Sequence, residues 1–302
     1  MKAHGASWLI PAALACLGLL GADSALAQGP RKARGPAVVP LSAASLTKIK
    51  SQDPGEIKAG LDDARLSGRA AGAAAPVIVD LLQKGMPYPL TEAAIDTLGD
   101  IESEPSSATI AWYARHRDVE VRRSAVKALA HTKGAAAVKA LRLALSDEDP
   151  RVRGYAATGL GSLRAKEAVA ELFVALDHKV NEAAVSIGQL CSPADCESLE
   201  GRLGRLPFDV ISSGLDQMLF RPAGEVSDDA KVKLVGRVRE LGTAEANHFL
   251  QDVAARWPAS GSARVKLSID QAVSATAGSP GSAGGGGTPP LTSDSTGRGG
   301  GR

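Results

Sequence analysis

Two stretches of the sequence, DVEVRRSAVKALAHT at residues 118–132 and DPRVRGYAATGLGSL at residues 149–163, carry their apolar residues at matching positions. When the two are aligned, Leu129 in the first corresponds to Leu160 in the second. A fixed period of roughly 20–50 residues is the mark of a repeat protein, in which each unit buries its apolar face only against its neighbours. The repeat therefore determines the fold of this chain.

The period continues on both sides of this pair. The same offset taken back from Leu129 reaches Leu98, and a somewhat shorter step forward from Leu160 reaches Ile187. A small residue follows each of the three leucines, namely Gly99, Ala130 and Gly161. We expect Leu98, Leu129, Leu160 and Ile187 to occupy successive positions in one continuous stack.

Each unit contains two short helices. Apolar residues have helical spacing along one stripe at Val121, Ala125, Ala128 and Leu129, and along the next at Val138, Leu141 and Leu145. Asp149 followed by Pro150 is typical of a helix N-cap with proline at the first helical position. The sequence thus predicts an all-α chain of helical hairpins.

The string D-x-x-V-R followed by A-x-x-x-L-[AG] resembles the HEAT-like repeat, in the variety also seen in phycobilin lyases. The resemblance covers residues 55–206 well and residues 207–257 weakly. It implies a curved α-solenoid and a ladder of hydrogen bonds from repeat to repeat, made by aspartate and arginine at the start of the first helix. The matching residues are Asp118, Arg122, Asp149 and Arg153. The alternative is a solvated helix start, at which aspartate favours the helix dipole.

Residues 1–27 have the layout of a secretory signal peptide. A weakly basic start at Lys2 precedes an apolar run, and Ala25-Leu26-Ala27 supplies the small residues of a cleavage site. Two alternatives remain, lipidation of Cys16 and an uncleaved anchor. We expect a mature protein exported to the bacterial periplasm or cell envelope.

Composition divides the rest of the chain into three segments. Residues 28–52 are predicted to be a Pro-rich basic linker, residues 53–258 the HEAT-like repeat domain and residues 259–302 a disordered, low-complexity tail. The tail is too poor in apolar residues to offset the cost of ordering it. A short alternating piece, VKLSI at 265–269, leaves open an edge strand or a packed arm.

Two cysteines of the repeat domain lie close together in CSPADC. Cys191 and Cys196 flank a predicted turn, and export to an oxidising compartment favours a disulfide between them. Two free thiols, partly buried, are the alternative.

A row of apolar residues recurs on the second helix of three units. Trp112, Leu143 and Val174 are separated by the repeat period and point away from the face that packs on the first helix. Second helices line the concave surface of HEAT-like stacks, so the resemblance implies an apolar stripe there, with Arg115 and Arg142 near its rim. The alternative is burial of the row between neighbouring second helices.

Residues suited to catalysis do not cluster in the sequence. None of His116, His131, His178 and His248 lies in a metal-binding or His-Glu motif, and no nucleophile elbow, P-loop or dinucleotide fingerprint occurs. A net charge of +2 gives no case for nucleic-acid binding. We therefore expect a non-enzymatic scaffold that needs no cofactor or metal and binds a protein partner on its concave face. A lyase-like or cofactor-handling protein that uses the groove as a pocket is the alternative.

Overall fold

The computed structural model describes residues 40–276, which fold into α-helices and short 3₁₀ segments and contain no β-strand. The α-helices are α1 (Ala43–Ile49), α2 (Pro54–Ser67), α3 (Ala75–Lys84), α4 (Tyr88–Ile101), α5 (Ser107–Tyr113), α6 (Val119–Leu129), α7 (Ala135–Ala144), α8 (Pro150–Ser162), α9 (Val169–Asp177), α10 (Glu182–Leu190), α11 (Pro193–Glu200), α12 (Phe208–Phe220), α13 (Asp228–Glu240), α14 (Ala244–Arg256) and α15 (Ala263–Thr276). The 3₁₀ segments are Gly68–Ala74, Glu104–Ser106 and Lys166–Ala168.

The helices form a stack of hairpins. The first helices of successive hairpins, α2, α4, α6, α8, α10 and α12, each pack against the next one along the chain. The second helices lie beside them, so that α7, for example, contacts both α6 and α8. This arrangement confirms the predicted all-α solenoid.

The repeated leucines line the interior of the stack. Leu98, Leu129, Leu160 and Ile187 are all fully buried and belong to one hydrophobic core. They lie on α4, α6, α8 and α10, which follow one another in contact. The predicted succession of these four residues through a continuous core is confirmed.

The small residues after the leucines set how closely the first helices approach. A Cβ added to Gly99 would lie 2.9 Å from the Cα of Ala128 on α6. A Cβ added to Gly188, which follows Ile187 on α10, would lie 2.1 Å from the carbonyl oxygen of Gly214 on α12. Larger side chains at these positions would push neighbouring repeats apart, because interiors are close-packed.

Aspartate N-caps begin the first helices of three hairpins. The side chains of Asp53, Asp118 and Asp149 accept hydrogen bonds from backbone N–H groups in the first turns of α2, α6 and α8. The N-cap predicted at Asp149, with Pro150 at the first helical position, is confirmed. Each cap satisfies a donor that the helix itself leaves without a partner.

The folded region is longer at both ends than the sequence predicted. Part of the expected linker, residues 43–49, forms α1 against α2, and part of the expected tail, residues 263–276, forms α15 against α13 and α14. The edge strand considered at 265–269 is therefore wrong. Val265, Ile269 and Ala272 are buried at helical spacing on α15 and cover the last hairpin, which would otherwise expose its apolar side.

The predicted signal peptide, most of the predicted linker and the end of the predicted tail lie outside the described residues. Among residues 40–276, no helix combines the length and the hydropathy needed to cross a bilayer.

Candidate protein-binding surface

Three large apolar side chains stand out from the second helices. The exposed fractions are 74% for Trp112 on α5, 59% for Leu143 on α7 and 58% for Val174 on α9. Two positions earlier on the same helices, Ile110, Leu141 and Leu172 are fully buried. Each second helix thus seals the core with one face and presents an apolar side chain on another, so the row is not buried between neighbouring helices.

Trp112 and Leu143 line one groove, between α5 and α7. Its volume is about 760 Å³, and alanines supply most of the remaining helical surface. These alanines are Ala108, Ala111, Ala136, Ala140 and Ala144. Small side chains between two larger apolar ones leave room for an inserted side chain of a ligand.

Val174 lines a second groove, between α7 and α9, with a volume of about 520 Å³. Arg142 lines this second groove, whereas Arg115 lines the first. Arg142 donates to Glu171 of α9 through Nε at 2.9 Å and forms an ion pair with it. The expected stripe is therefore divided into two grooves of different character.

The α5/α7 groove has a basic rim. Arg115, Arg117 and Lys139 line it, and none of the three forms an ion pair with an acidic side chain in the described part of the chain. Arg117 instead donates through Nε to the hydroxyl of Tyr88 at 2.8 Å, and its guanidinium lies 5.7 Å from the centre of that ring. Arg115 and Lys139 are therefore free to meet a ligand, and Arg117 adds a positive charge that no carboxylate neutralises.

The two acidic side chains of the same groove are already occupied. Arg122 donates through Nε and Nη2 to the two carboxylate oxygens of Asp147, both at 3.0 Å, and through Nη2 to Glu148 at 3.0 Å. The side chain of Arg122 is only 8% exposed and that of Asp147 only 13%. This pair forms the base of one end of the groove and links α6 to the loop before α8.

Arginine also closes the loop at the start of each of these repeats. Arg122 donates through Nη1 to the backbone oxygens of His116 and Arg117, at 3.1 and 3.3 Å. One repeat later, Arg153 donates through Nη1 to the oxygens of Asp147 and Glu148, at 2.8 and 3.0 Å. Both contacts hold the chain entering the first helix.

The expected inter-repeat ladder has different partners from those predicted. Asp118 caps α6 and Arg153 binds its own loop, so neither joins two repeats. Asp149 does join them, because Arg123 of the preceding repeat donates to its two carboxylate oxygens at 3.1 and 2.6 Å. The hydrogen bonds from Arg123, together with those from backbone N–H groups of α8, lower the pKa of Asp149 to about 2.

Two inter-repeat pairs therefore replace the predicted ladder, Arg122–Asp147 and Arg123–Asp149. Sequence comparison missed Arg123 and Asp147. The position equivalent to Arg123 in the next repeat is Gly154, and the position equivalent to Asp147 in the preceding repeat is His116. Neither residue therefore recurs with the period.

Cys191 and Cys196 are joined by a disulfide across the start of α11, with 5.2 Å between their Cα atoms. Both residues are buried. The buried guanidinium of Arg221, after α12, donates through Nη1 to the backbone oxygens of Cys191 and Gly188 at 2.9 and 3.3 Å. The disulfide thus ties the end of α10 to α11, and Arg221 ties the same end of α10 to the segment that follows α12, apart from the two grooves.

The histidines do not gather into a site. His116 lies at the groove, where its Nδ1 accepts a hydrogen bond from the backbone N–H of Asp118 at 3.1 Å and its ring makes a T-shaped contact with that of Tyr88. In residues 40–276, no three histidine, cysteine, aspartate or glutamate side chains are placed to hold a metal ion.

The stacked hairpins define an α-solenoid of the repeat-protein class. The family model of HEAT repeats matches residues 75–147 and 138–215, from α3 into α12, so this part of the chain consists of HEAT-like repeats.

Several solved structures are similar to this chain. The complex of CpcE and CpcF of phycocyanin lyase from Nostoc sp. PCC7120 aligns over 82% of this chain and 98% of its own, at 17% identity and a TM-score of 0.44. An engineered protein aligns over 78% of both chains, at 17% identity and a TM-score of 0.45. A second engineered protein aligns over 78% of this chain and 96% of its own, at 16% identity and a TM-score of 0.37. No curated protein gives a significant match.

Proposed function

We propose that the protein is a non-enzymatic interaction scaffold that binds a protein partner on the face formed by α5, α7 and α9. The observation that carries the proposal is the exposure of Trp112, Leu143 and Val174 at equivalent positions of three consecutive repeats. Large exposed apolar side chains that lie together mark sites of interaction. A repeat stack supports this role because it presents an extended surface built from equivalent positions.

Trp112 is the natural centre of the interface. Tryptophan is enriched among the residues that contribute most to binding between proteins, particularly where it lies beside a pocket. Here it borders a groove whose opposite wall carries Leu143 and whose remaining helical surface is largely alanine. A partner side chain inserted between the two would remove apolar surface of both proteins from water.

We place the scaffold in the periplasm or cell envelope of a bacterium. The signal-like residues 1–27 and the disulfide between Cys191 and Cys196 support this placement, since disulfides persist in oxidising compartments. Secretion is tested by expressing the full chain with its own N-terminus and measuring the mass of the protein in a periplasmic fraction. Cleavage after Ala27 is the expected result, and an intact chain in the cytoplasm would contradict it.

The binding proposal is tested by capture from an envelope extract with the wild type and three variants. Trp112→Asp and Leu143→Asp are expected to lose the same captured protein, which is then purified and titrated against each variant. Leu66→Asp is the matched control, because Leu66 is 87% exposed on α2, away from the proposed face. The thermal melts of all three variants should stay close to that of the wild type.

Two outcomes would overturn the proposal. In one, the Trp112 and Leu143 variants retain the captured protein with wild-type affinity. In the other, Leu66→Asp loses it equally, which would show that charge on any exposed apolar position of the stack disturbs binding.

A cofactor in the same groove is the second candidate, favoured by the groove's volume of about 760 Å³. Small-molecule pockets have volumes of roughly 300–1,000 Å³. Titration with a free bilin tests it, because binding in a defined site changes the absorbance spectrum. The scaffold proposal predicts no change, and a change that Trp112→Asp removes would favour the cofactor.

A further inference from the structure

The α5/α7 groove pairs apolar and basic side chains on both of its walls. On the α5 side, Arg115 lies in the turn that follows the helix, three residues after Trp112. On the α7 side, Lys139 lies one helical turn before Leu143, a spacing that makes the two neighbours on the helix surface. Each wall therefore offers an apolar contact next to a positive charge.

The positive charge of the groove is not neutralised within the protein. Four basic side chains line it, and its two carboxylates are both bonded to one of them, Arg122. The groove thus has a formal charge of +2, whereas the described residues as a whole carry 29 basic and 31 acidic side chains, a net charge of −2. The groove is therefore positively charged, although the described residues together carry a net negative charge.

The neighbouring groove has a smaller excess of positive charge. Between α7 and α9, Arg142 is paired with Glu171 across the helices, and Asp147 is already bonded to Arg122, so among the described residues Arg153 is left as the single unpaired basic side chain that lines this groove. The two grooves share the apolar row and differ in charge. A partner that recognises charge would therefore be anchored between α5 and α7.

The flanking segments of this chain are poor occupants of the groove. Residues 1–39 contain four basic residues and one acidic residue, and residues 277–302 contain two basic residues and one acidic residue. Both segments are positively charged and would be repelled by the rim. A complementary ligand must come from another chain.

We infer that the partner of the α5/α7 groove is an acidic peptide segment that carries a bulky apolar side chain. The inference rests on the proposed function and names the chemistry of its partner. The apolar side chain enters between Trp112 and Leu143, over the alanines, and the flanking carboxylates meet Arg115, Arg117 and Lys139. Complementary charge of this kind speeds association and selects among partners that share the apolar anchor.

The test is selection from a phage library of short random peptides on the full chain. The expected peptides place aspartate or glutamate close to Leu, Phe or Trp. The best peptide is then synthesised with a fluorescent label, and its affinity is measured by anisotropy for the wild type and for Trp112→Asp, Arg115→Glu/Lys139→Glu and Arg151→Glu. Arg151 is the matched control, because it is exposed at the start of α8 and lines neither groove.

We expect the double charge reversal to weaken binding by about tenfold or more and Arg151→Glu to change it less than about twofold. Raising the sodium chloride concentration by about tenfold should weaken binding to the wild type, because salt screens exposed charges. Selected peptides without acidic enrichment would overturn the inference, as would equal affinity for the wild type and the double variant.

The same measurements separate this inference from the proposed function. Peptides that require Trp112 but tolerate the charge reversal would show that the groove binds a segment whose charge does not matter. In that case the scaffold proposal stands, and the inference that the partner is acidic is wrong. A library that yields no Trp112-dependent peptide overturns the inference, and the capture experiment then decides the scaffold proposal separately.

Discussion

Arg122 on α6 and Asp147 in the loop before α8 form a two-bond ion pair that joins consecutive repeats, with side chains only 8% and 13% exposed. Arg122 also donates to two backbone oxygens of the loop before α6. One guanidinium therefore fixes the entry to its own repeat and the entry to the next. The pair also forms the base of the groove that we propose as the binding site.

Replacing Arg122 with Met is expected to lower the free energy of unfolding by about 3–5 kcal/mol, because it leaves the Asp147 carboxylate buried without its partner. Urea denaturation measures the change. Lys58→Met is the control, since the Lys58–Asp62 pair is 61% and 49% exposed and such pairs contribute less than about 1 kcal/mol. If the free energy of unfolding falls equally in the two variants, the buried pair stabilises the fold no more than the exposed pair does.

The charge of Asp149 should be visible in the pH dependence of stability. Its pKa is lowered from 3.8 to about 2, mainly by hydrogen bonds from Arg123, so the folded state favours the ionised form. The resulting stabilisation is complete above the ordinary pKa and is lost as the pH falls from about 4 to about 2. Asp149→Asn keeps an N-cap side chain but removes the charge.

We therefore expect the wild type to be more stable than Asp149→Asn at pH 6, and the difference to close as the pH approaches 2. Urea denaturation at a series of pH values measures both proteins. In an Arg123→Met background the difference should already be small at pH 6. A difference in stability between the two proteins that stays constant from pH 6 to pH 2 would contradict the lowered pKa of Asp149.

The core could be predicted from the sequence because it is repeated. Leu98, Leu129 and Leu160 recur at one offset, and each lies in a stripe of apolar residues with helical spacing. The inter-repeat ion pairs could not be found in this way, because Arg123 and Asp147 have no equivalents in the adjoining repeats. Such pairs depend on where a loop places a side chain in space, which the period does not encode.

The ends of the stack were missed for a related reason. The helices α1 and α15 belong to no repeat, and their role is to cover the first and last hairpins. In α15, Val265, Ile269 and Ala272 follow helical spacing, but the short alternation VKLSI hides it. The candidate site was predicted as a row, whereas its division into a more basic groove and a less basic one depends on the pairing of Arg142 with Glu171.

The disulfide between Cys191 and Cys196 should contribute modestly to stability. The loop that it closes is short, so the chain-entropy estimate gives about 2 kcal/mol. We expect Cys191→Ala/Cys196→Ala to lower the free energy of unfolding by about that amount, and dithiothreitol to bring the wild type to the same value. A double variant that remains sensitive to dithiothreitol would contradict this account.

The same substitution at two helical glycines should have opposite effects. Gly188 on α10 lies where a Cβ would meet the carbonyl oxygen of Gly214 at 2.1 Å, and a backbone oxygen cannot move aside without shifting α12. Gly236 lies within α13, where an added Cβ meets nothing within 4 Å. Crowding should dominate at the first position and helix propensity at the second.

We expect Gly188→Ala to lower the free energy of unfolding by about 1–3 kcal/mol, because the close packing of α10 on α12 must widen. Gly236→Ala should raise it by up to about 1 kcal/mol, because alanine restricts the unfolded chain and favours the helix. Urea denaturation of both variants measures whether each substitution raises or lowers the free energy of unfolding. A stabilising Gly188→Ala would mean that the first helices are not held together by small residues, and the spacing of the whole stack would need another cause.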